Sequence, residues 1–444
     1  MPALADRPTN VRWAVFCLAC GASWLLYLHR YVFALIKPEL VKQWGLGKDD
    51  LGLLDSAFST TSTIFQFPLG AAADLLGVHI VLTGLILLWC MGLSMHAWAP
   101  SPTHLWYARA MLGIGQSAVY ANLSRMAQSW FPPSIRTTLQ GLAGISAGRL
   151  GGLSAYVLFG TLLLGVLGLD WRTAIHIFVN CGLAFAALFF IVFRNSPREH
   201  PWVNDAEATI TAGPAAATGT MPPRITVRQM LRSVQPRALA NLVMLNVQTI
   251  LSTIADNIYS NWIPLFLWEV HKLKFDKMGI YSALPLLGGA IAGLTGGLLN
   301  DWLIARTGNR RWSRSGIAIF GKGVAAVVLL AAMLWYDSPY IFCWLLFVVK
   351  LFGDWSLTTS WGVVTDIGGR ATASVFAFNN AVAGIGLIVA PVLFGWIAEH
   401  YGWRPVFLAV AGTYAMCALS WLFINCTIPV IASPAEPEAT HDST

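Results

Sequence analysis

The sequence predicts an all-α membrane protein in which twelve transmembrane helices form two pseudo-symmetric six-helix bundles. Apolar residues make up 56% of the 444 positions and charged residues only 11%, a balance unlike that of soluble domains. Apolar runs of about 20 residues, long enough to cross a hydrocarbon core, recur along both halves of the chain. A motif at the end of the second run also recurs in the second half, so the two bundles are predicted to be repeats.

The positions of the apolar runs predict six helices in each half. The first six spans are Arg12 to Leu35, Leu51 to Ala73, Ile80 to Trp98, Leu105 to Gln128, Leu139 to Leu164 and Thr173 to Phe193. The second six are Leu239 to Trp268, Met278 to Leu303, Ser315 to Trp335, Tyr340 to Val364, Val375 to Ile397 and Pro405 to Phe423. Residues 1–193 and 238–428 are therefore predicted to form the two bundles.

The segment between the bundles, residues 194–237, is predicted to be a cytoplasmic linker. Its stretch from Asn204 to Pro223 is rich in Ala, Thr, Gly and Pro, a composition that buries too little apolar surface to fold by itself. Residues 429–444 have a similar composition and are predicted to be a disordered cytoplasmic tail.

The formal net charge of +7 does not indicate a nucleic-acid partner, because the basic residues are distributed as in a membrane protein. They cluster in the central linker and in the loop after the eighth span. The positive-inside rule makes these loops cytoplasmic, and an even number of spans then predicts that both termini lie on the cytoplasmic side of the cell (inner) membrane. The arginines concerned are Arg194, Arg198, Arg224, Arg228, Arg232, Arg237, Arg306, Arg310, Arg311 and Arg314.

The two halves share a repeated segment. Gly52 to Asp74 ends in Gly-x-x-x-Asp, and Gly279 to Asp301, about half the chain later, ends in the same pattern at the same internal spacing. A duplicated six-helix unit that holds its substrate at the midplane between the halves is a recurring design of secondary transporters.

Charged and titratable residues lie at the centre of several predicted spans, where they are costly unless they serve a purpose. Most of them are basic, so the interior is predicted to contain a polar pathway that receives an anion. These residues are His29, Arg30, Arg109, Arg149, Asp256, Lys350 and Asp354.

Several stretches together resemble the major facilitator superfamily and, within it, the anion:cation symporter family of sugar-acid transporters such as those for galactonate and hexuronate. The resemblance covers nearly the whole chain. It implies a monomeric secondary active transporter that moves a small organic anion by alternating access, coupled to protons or sodium. The stretches are LYLHRYVFALIKPEL, SAFSTTSTIFQFPLGAAADLLG, ARAMLGIGQSAVYANLSRMAQSWFPPSIR, RNSPREHPWVNDAE, YSNWIPLFL and WGVVTDIGGRATASVFAFNNAVAGIGLIVAPVLFGW.

The resemblance implies that Tyr27 and Arg30 line the anion site and that Asn380 hydrogen-bonds the substrate. A guanidinium offers a bidentate fork for a carboxylate, although Arg30 could instead be neutralised by a structural partner. Arg149 lies in a glycine-rich span, where it either reaches the cavity or anchors a helix crossing. Gln116 is a further candidate for reading substrate hydroxyls.

The coupling residues depart from the family pattern. The resemblance implies an aspartate before Arg30 and a glutamate two turns after Arg109, both credited with carrying protons. Here the positions hold His29 and Gln116, and an amide does not titrate. His29 can titrate near neutral pH, or it can be a neutral histidine that is hydrogen-bonded within the bundle.

Three other charged residues are candidates to replace the missing acids. Asp256, in the seventh span, occupies the pseudo-symmetric counterpart of the site in the first helix. Lys350 and Asp354 are spaced to pair across one helical turn. They form either a static ion pair or a cation acceptor that an arriving anion releases.

Asp74 and Asp301 end the repeated segments and resemble the gating motif of the superfamily. Basic residues do not follow Asp74, whereas Arg306, Arg310 and Arg311 follow Asp301. We therefore expect Asp301 to gate more strongly than Asp74.

Two alternatives remain from the sequence. An organophosphate:phosphate antiporter would pair an arginine of the first helix with one of the seventh, where this chain has Asp256. A membrane sensor would retain the shape of a transporter without transporting. No nucleophile, metal cluster or cofactor loop is visible in the sequence, so we expect neither enzymatic activity nor a cofactor.

Overall fold

The structure is a computed structural model that describes residues 7–210, 236–368 and 372–429. The predicted linker and tail therefore lie largely outside the described residues. The described residues form twelve long helical segments, α1 to α12, and the predicted all-α fold class is confirmed. Nine of these helices are long and apolar enough to cross a membrane, and α2, α4 and α12 complete the set.

The helices of the first half are α1 (Val11–Arg30 and Val32–Trp44), α2 (Lys48–Leu76), α3 (Val78–Trp98), α4 (Pro102–Gln116 and Val119–Trp130), α5 (Pro133–Gly141, Leu142–Ala147, Gly148–Ser154 and Ala155–Val166) and α6 (Trp171–Val192). Those of the second half are α7 (Pro236–Asn261 and Ile263–Glu269), α8 (Phe275–Thr307), α9 (Arg310–Ala332), α10 (Pro339–Gly353 and Trp355–Gly368), α11 (Thr372–Tyr401) and α12 (Trp403–Ser420).

The predicted end of the first span at Leu35 was wrong, because α1 continues to Trp44. The apolar run in the sequence ends just before Lys37. In the structure Lys37 is fully buried and paired with Asp55 of α2, which allows the helix to continue through this charge.

The chain ends and the connecting segments define two faces of the molecule. At one face, here called the terminus face, the Glu207 carboxylate accepts hydrogen bonds from Thr9 Oγ1 and from the backbone N–H groups of Val11 and Arg12. These are the unsatisfied donors at the start of α1, so Glu207 caps that helix from a distant part of the chain.

At the other end of the helices, here called the opposite face, side chains connect the two bundles. Lys48 Nζ at the start of α2 lies 2.9 Å from Glu269 and 3.4 Å from Glu399, both in the second half. A Cβ on Gly52 would lie 2.7 Å from the carbonyl oxygen of Pro391, so α2 and α11 are in close contact here.

Burial along α2 shows where the bundles separate. Most of residues 51–60 are buried, whereas none of residues 61–72 is. Helix α2 is thus well buried toward the opposite face, where the bundles are closed against each other, and less buried toward the terminus face. Because the opposite face is closed, Asp256 in the middle of the molecule, whose side chain is 27% exposed, is reached from the terminus face.

Candidate anion and coupling site

Arg30 lies at the end of the first part of α1, where the helix is interrupted at Tyr31. Its Nε donates a 3.1 Å hydrogen bond to Gln116 Oε1, and Gln116 Nε2 donates to the Leu26 carbonyl at 3.0 Å. The guanidinium lies 5.0 Å from the ring centroid of Phe58. No ion pair involving Arg30 occurs within the described ranges, so its charge is held by an amide and by aromatic faces.

Aromatic residues surround this guanidinium. The Tyr27 ring centroid is 5.0 Å from it and 6.5 Å from that of Tyr120. Tyr120 Oη donates to the Gly144 carbonyl of α5 at 3.2 Å. A Cβ on Gly148 would lie 2.6 Å from the Tyr27 ring, so glycine at this position allows α5 to approach the site. Tyr120 was not among the predicted site residues, since nothing in its local sequence distinguishes it.

Arg149, Asp256, Lys350 and Asp354 form what is here called the central charge cluster. Lys350 Nζ lies 2.7 Å from Asp256 and 2.5 Å from Asp354, while Arg149 lies 2.8 Å from Asp354 and 3.5 Å from Asp256. Arg149 comes from α5 of the first half, and the other three come from α7 and α10 of the second. The cluster therefore joins the two bundles, and its formal charges cancel.

The two acids of this cluster differ in access. The Asp354 side chain is 3% exposed, whereas the Asp256 side chain is 27% exposed. Asp256 therefore meets the open side of the cluster, and Asp354 is held at the interruption of α10 between two cations.

Lys322 of α9 is an additional cation that the sequence reasoning missed. It is 1% exposed, and its Nζ donates to Ser252 Oγ at 2.8 Å, one helical turn before Asp256 on α7. Its position within the predicted span from Ser315 to Trp335 could have identified it. A lysine inside a membrane span costs as much free energy as the charged residues that were predicted to line the interior.

Lys37, Asp55 and Arg109 form a second group, here called the lateral charge cluster. Asp55 accepts from Lys37 Nζ at 2.6 Å and from Arg109 Nη2 at 2.7 Å. Arg109 Nε donates to the Leu54 carbonyl at 3.2 Å. All three side chains are almost completely buried. Arg109 was predicted as a coupling or charge-pair residue. Lys37 was missed because the first span was ended at Leu35, and Asp55 was missed although it lies inside the predicted second span.

His29 is adjacent to Arg30 in sequence but faces away from the anion site. It is fully buried, and its Nε2 donates to the Phe178 carbonyl of α6 at 3.0 Å. The structure therefore does not bring His29 together with the other predicted coupling residues. Its surroundings fit a neutral histidine that is hydrogen-bonded within the bundle, which is one of the two alternatives that the sequence allows for His29.

The neighbouring residues Asn379 and Asn380 of α11 differ in their contacts. Asn379 is buried and donates to Asn246 and Thr249 of α7, so it joins two helices. Asn380 is half-buried, and its side chain makes no hydrogen bond to any residue that the structure describes, which leaves its side-chain amide available.

The partners of the two gating aspartates differ from those expected. No basic residue follows Asp74 in the sequence, but Asp74 forms an ion pair with Arg125 of α4. Asp301 has no ion pair among the described residues. The basic residues after α8 serve another acid instead, because Arg314 lies 2.8 Å from Asp366 of α10. That Asp301 gates more strongly than Asp74 remains a prediction.

Comparison with known proteins places these residues in context. A model of the Major Facilitator Superfamily matches residues 19–333 and 245–442. A probable sulfoacetate transporter of Cupriavidus necator is 25% identical over 431 residues, covering 96% of each chain. The D-galactonate transporter of Escherichia coli is 22% identical (96% of this chain, 98% of the relative), and the hexuronate transporter of Bacillus subtilis is 24% identical (94% of each).

Among solved structures, a bacterial homolog of the human lysosomal transporter Spinster matches with a TM-score of 0.68. The match covers 94% of this chain and 95% of that protein, at 15% sequence identity. At this identity the likeness supports the fold alone.

Proposed function

Because this chain belongs to the major facilitator superfamily, we propose that it carries a small organic anion, a sugar acid or another carboxylate, across the cytoplasmic membrane. It is a multi-pass membrane protein and a secondary transporter, not an enzyme. Transport proceeds by alternating access of the two bundles and is coupled to a cation, either a proton or sodium.

The observation that carries this proposal is that Arg30 has no carboxylate partner among the described residues. A guanidinium inside a membrane protein is costly unless an anion compensates it, and the described residues supply no carboxylate to Arg30. An incoming carboxylate would provide the bidentate partner, with Tyr27, Gln116 and Asn380 available for hydroxyl groups. The relatives are named for sulfoacetate, galactonate and hexuronate, and each of these compounds is a carboxylate.

For the coupling ion we propose Asp256 as the acceptor, in place of His29 and Gln116. Asp256 is the more exposed acid of the central charge cluster, and Arg149 of the other bundle lies 3.5 Å away. An anion that attracts Arg149 would leave Asp256 less compensated, which favours the binding of a cation there. Substrate and coupling ion would then meet at the seam between the bundles.

Uptake by the purified protein in liposomes tests the proposal. We expect galactonate or sulfoacetate to accumulate when a proton or a sodium gradient is imposed, and each gradient is applied separately. Uptake that does not depend on either gradient but requires a counter-anion inside the liposomes would contradict cation coupling. Exchange of glycerol 3-phosphate for phosphate, without any response to the organic acids, would favour the antiporter instead.

A further inference from the structure

Helix α7 is interrupted where it reaches the opposite face. Its first part ends at Asn261 and its second part begins at Ile263, with Pro264 in the first turn. Proline has no N–H group, so Pro264 cannot donate to the Ser260 carbonyl one turn earlier. The interruption therefore exposes backbone acceptors that need partners from elsewhere.

Two side chains of the first bundle donate to these acceptors. Tyr156 Oη of α5 contacts the carbonyls of Tyr259 at 2.9 Å and Ser260 at 3.0 Å. Lys37 Nζ of α1 donates to the Asn261 carbonyl at 2.8 Å and lies 3.8 Å from the Trp262 ring centroid. Both donors are fully buried.

The remaining contacts of Lys37 stay within its own bundle. Asp55 of α2 holds the ammonium at 2.6 Å, and Arg109 of α4 is paired with the same carboxylate. When the bundles separate at the opposite face, the Lys37–Asp55 contact can persist. The contacts of Lys37 and Tyr156 with α7 cannot, because they cross the seam.

We propose that Lys37 and Tyr156 are positioning residues of the transport cycle: they hold α7 at its proline interruption and keep the opposite face closed while the terminus face is open. Burial of the ammonium opposes closure, since water would solvate it in the open state. This cost is offset by the two partners that only the closed state supplies, the Asn261 carbonyl and the Trp262 ring. Tyr156 carries no charge, so its contribution to closure has no such opposing cost.

Spin-label distances in nanodiscs, measured without substrate, test this proposal separately from the choice of anion. One pair of labels, at Lys42→Cys and Lys272→Cys, spans the opposite face, where both residues border a cavity of about 580 Å³. A second pair, at Gln128→Cys and Ala305→Cys, spans the terminus face. The accessible cysteines Cys17, Cys20 and Cys181 are replaced by serine.

In the Tyr156→Phe variant we expect the ratio of open to closed opposite faces to rise about tenfold, the effect of leaving a buried carbonyl unsatisfied in the closed state. Distances across the terminus face should shorten in the same molecules. Lys37→Met should act in the same direction, and it leaves Asp55 and Arg109 as a balanced pair, so the bundle still folds.

Tyr414→Phe is the matched control, because the Tyr414 hydroxyl contacts Tyr259 Oη within the second bundle. Its distance distributions should equal those of the parent protein. Unchanged distributions in Tyr156→Phe and Lys37→Met would overturn the proposal. Widening at the opposite face without shortening at the terminus face would also overturn it, since that pattern indicates local loosening.

Discussion

At the scale of single residues, the charged side chains of the interior divide by how they are compensated. Asp354 and Lys350 neutralise each other within α10, and Asp55 compensates Arg109. Arg30 instead has an amide and aromatic rings as neighbours. An interior cation without a carboxylate is the position at which an anionic substrate gains the most. Lys322 also lacks an ion pair among the described residues, but it is 1% exposed, whereas Arg30 is half-buried and can be reached, so the site is centred on Arg30.

His29 provides a test of which group carries the coupling ion. We expect His29→Gln to accumulate substrate like the parent protein at every pH, because a glutamine amide can still donate to the Phe178 carbonyl. The measurement is proton-driven uptake in liposomes between pH 5 and 8, the range in which histidine titrates. A lost or displaced pH profile would assign coupling to His29.

Asp256→Asn should have the opposite effect. The amide keeps the shape of the side chain but cannot take up a proton or balance Lys350 and Arg149 as a charge. We expect exchange of labelled for unlabelled substrate to continue while accumulation driven by a gradient is lost. Asp170→Asn, at the cap of α6, is the control and should leave both activities intact. Gradient-driven accumulation by Asp256→Asn would place coupling elsewhere.

At the scale of helices, the start of α1 depends on a residue far away in sequence. Burial alone would raise the pKa of Glu207, but hydrogen bonds from Thr9 and from the N–H groups of Arg12 and Val11 outweigh it and lower that pKa. A carboxylate with a lowered pKa stabilises the folded state above its ordinary pKa. That contribution is lost as the pH falls through the lowered value.

Glu207→Gln is therefore expected to lower the free energy of unfolding by about 1 kcal/mol at neutral pH, the usual effect of weakening a helix cap. The difference from the parent protein should shrink below about pH 4, where glutamates become protonated. Thermal unfolding in detergent measures both effects. Glu199→Gln, which removes an exposed carboxylate nearby, is the control and should change little at any pH. Equal effects of the two substitutions would contradict the role of Glu207 as a cap.

The sequence predicted the positions of the helices better than it predicted which side chains pair between helices. The Lys350–Asp354 pair could be anticipated because both residues lie on one helix, one turn apart. The contacts of Arg149 with Asp256 and of Lys37 with Asp55 could not, since they depend on how separate helices pack. The continuation of α1 beyond Leu35 has the same cause, because the burial of Lys37 within the helix depends on its pairing with Asp55 of α2.

At the scale of the whole molecule, closure at one face and access at the other follow from where the bundles touch. Lys48 and the seam around Gly52 join the halves at the opposite face. Helix α2 is less buried beyond residue 60, toward the terminus face. The central charge cluster lies between these regions and contains groups from both bundles. An anion bound beside it is therefore in a position to change how the halves are held together.

The central claim is that Arg30 binds the transported anion, and anion-dependent thermal stabilisation of the purified protein tests it most directly. Galactonate and sulfoacetate should raise the melting temperature of the parent protein and of the Arg198→Ala control, in which an exposed arginine is removed. Arg30→Ala should melt at a similar temperature without anion and gain nothing when anion is added. Arg30→Lys should gain less than the parent protein, because an ammonium lacks the bidentate fork. Full anion-dependent stabilisation of Arg30→Ala would contradict the account.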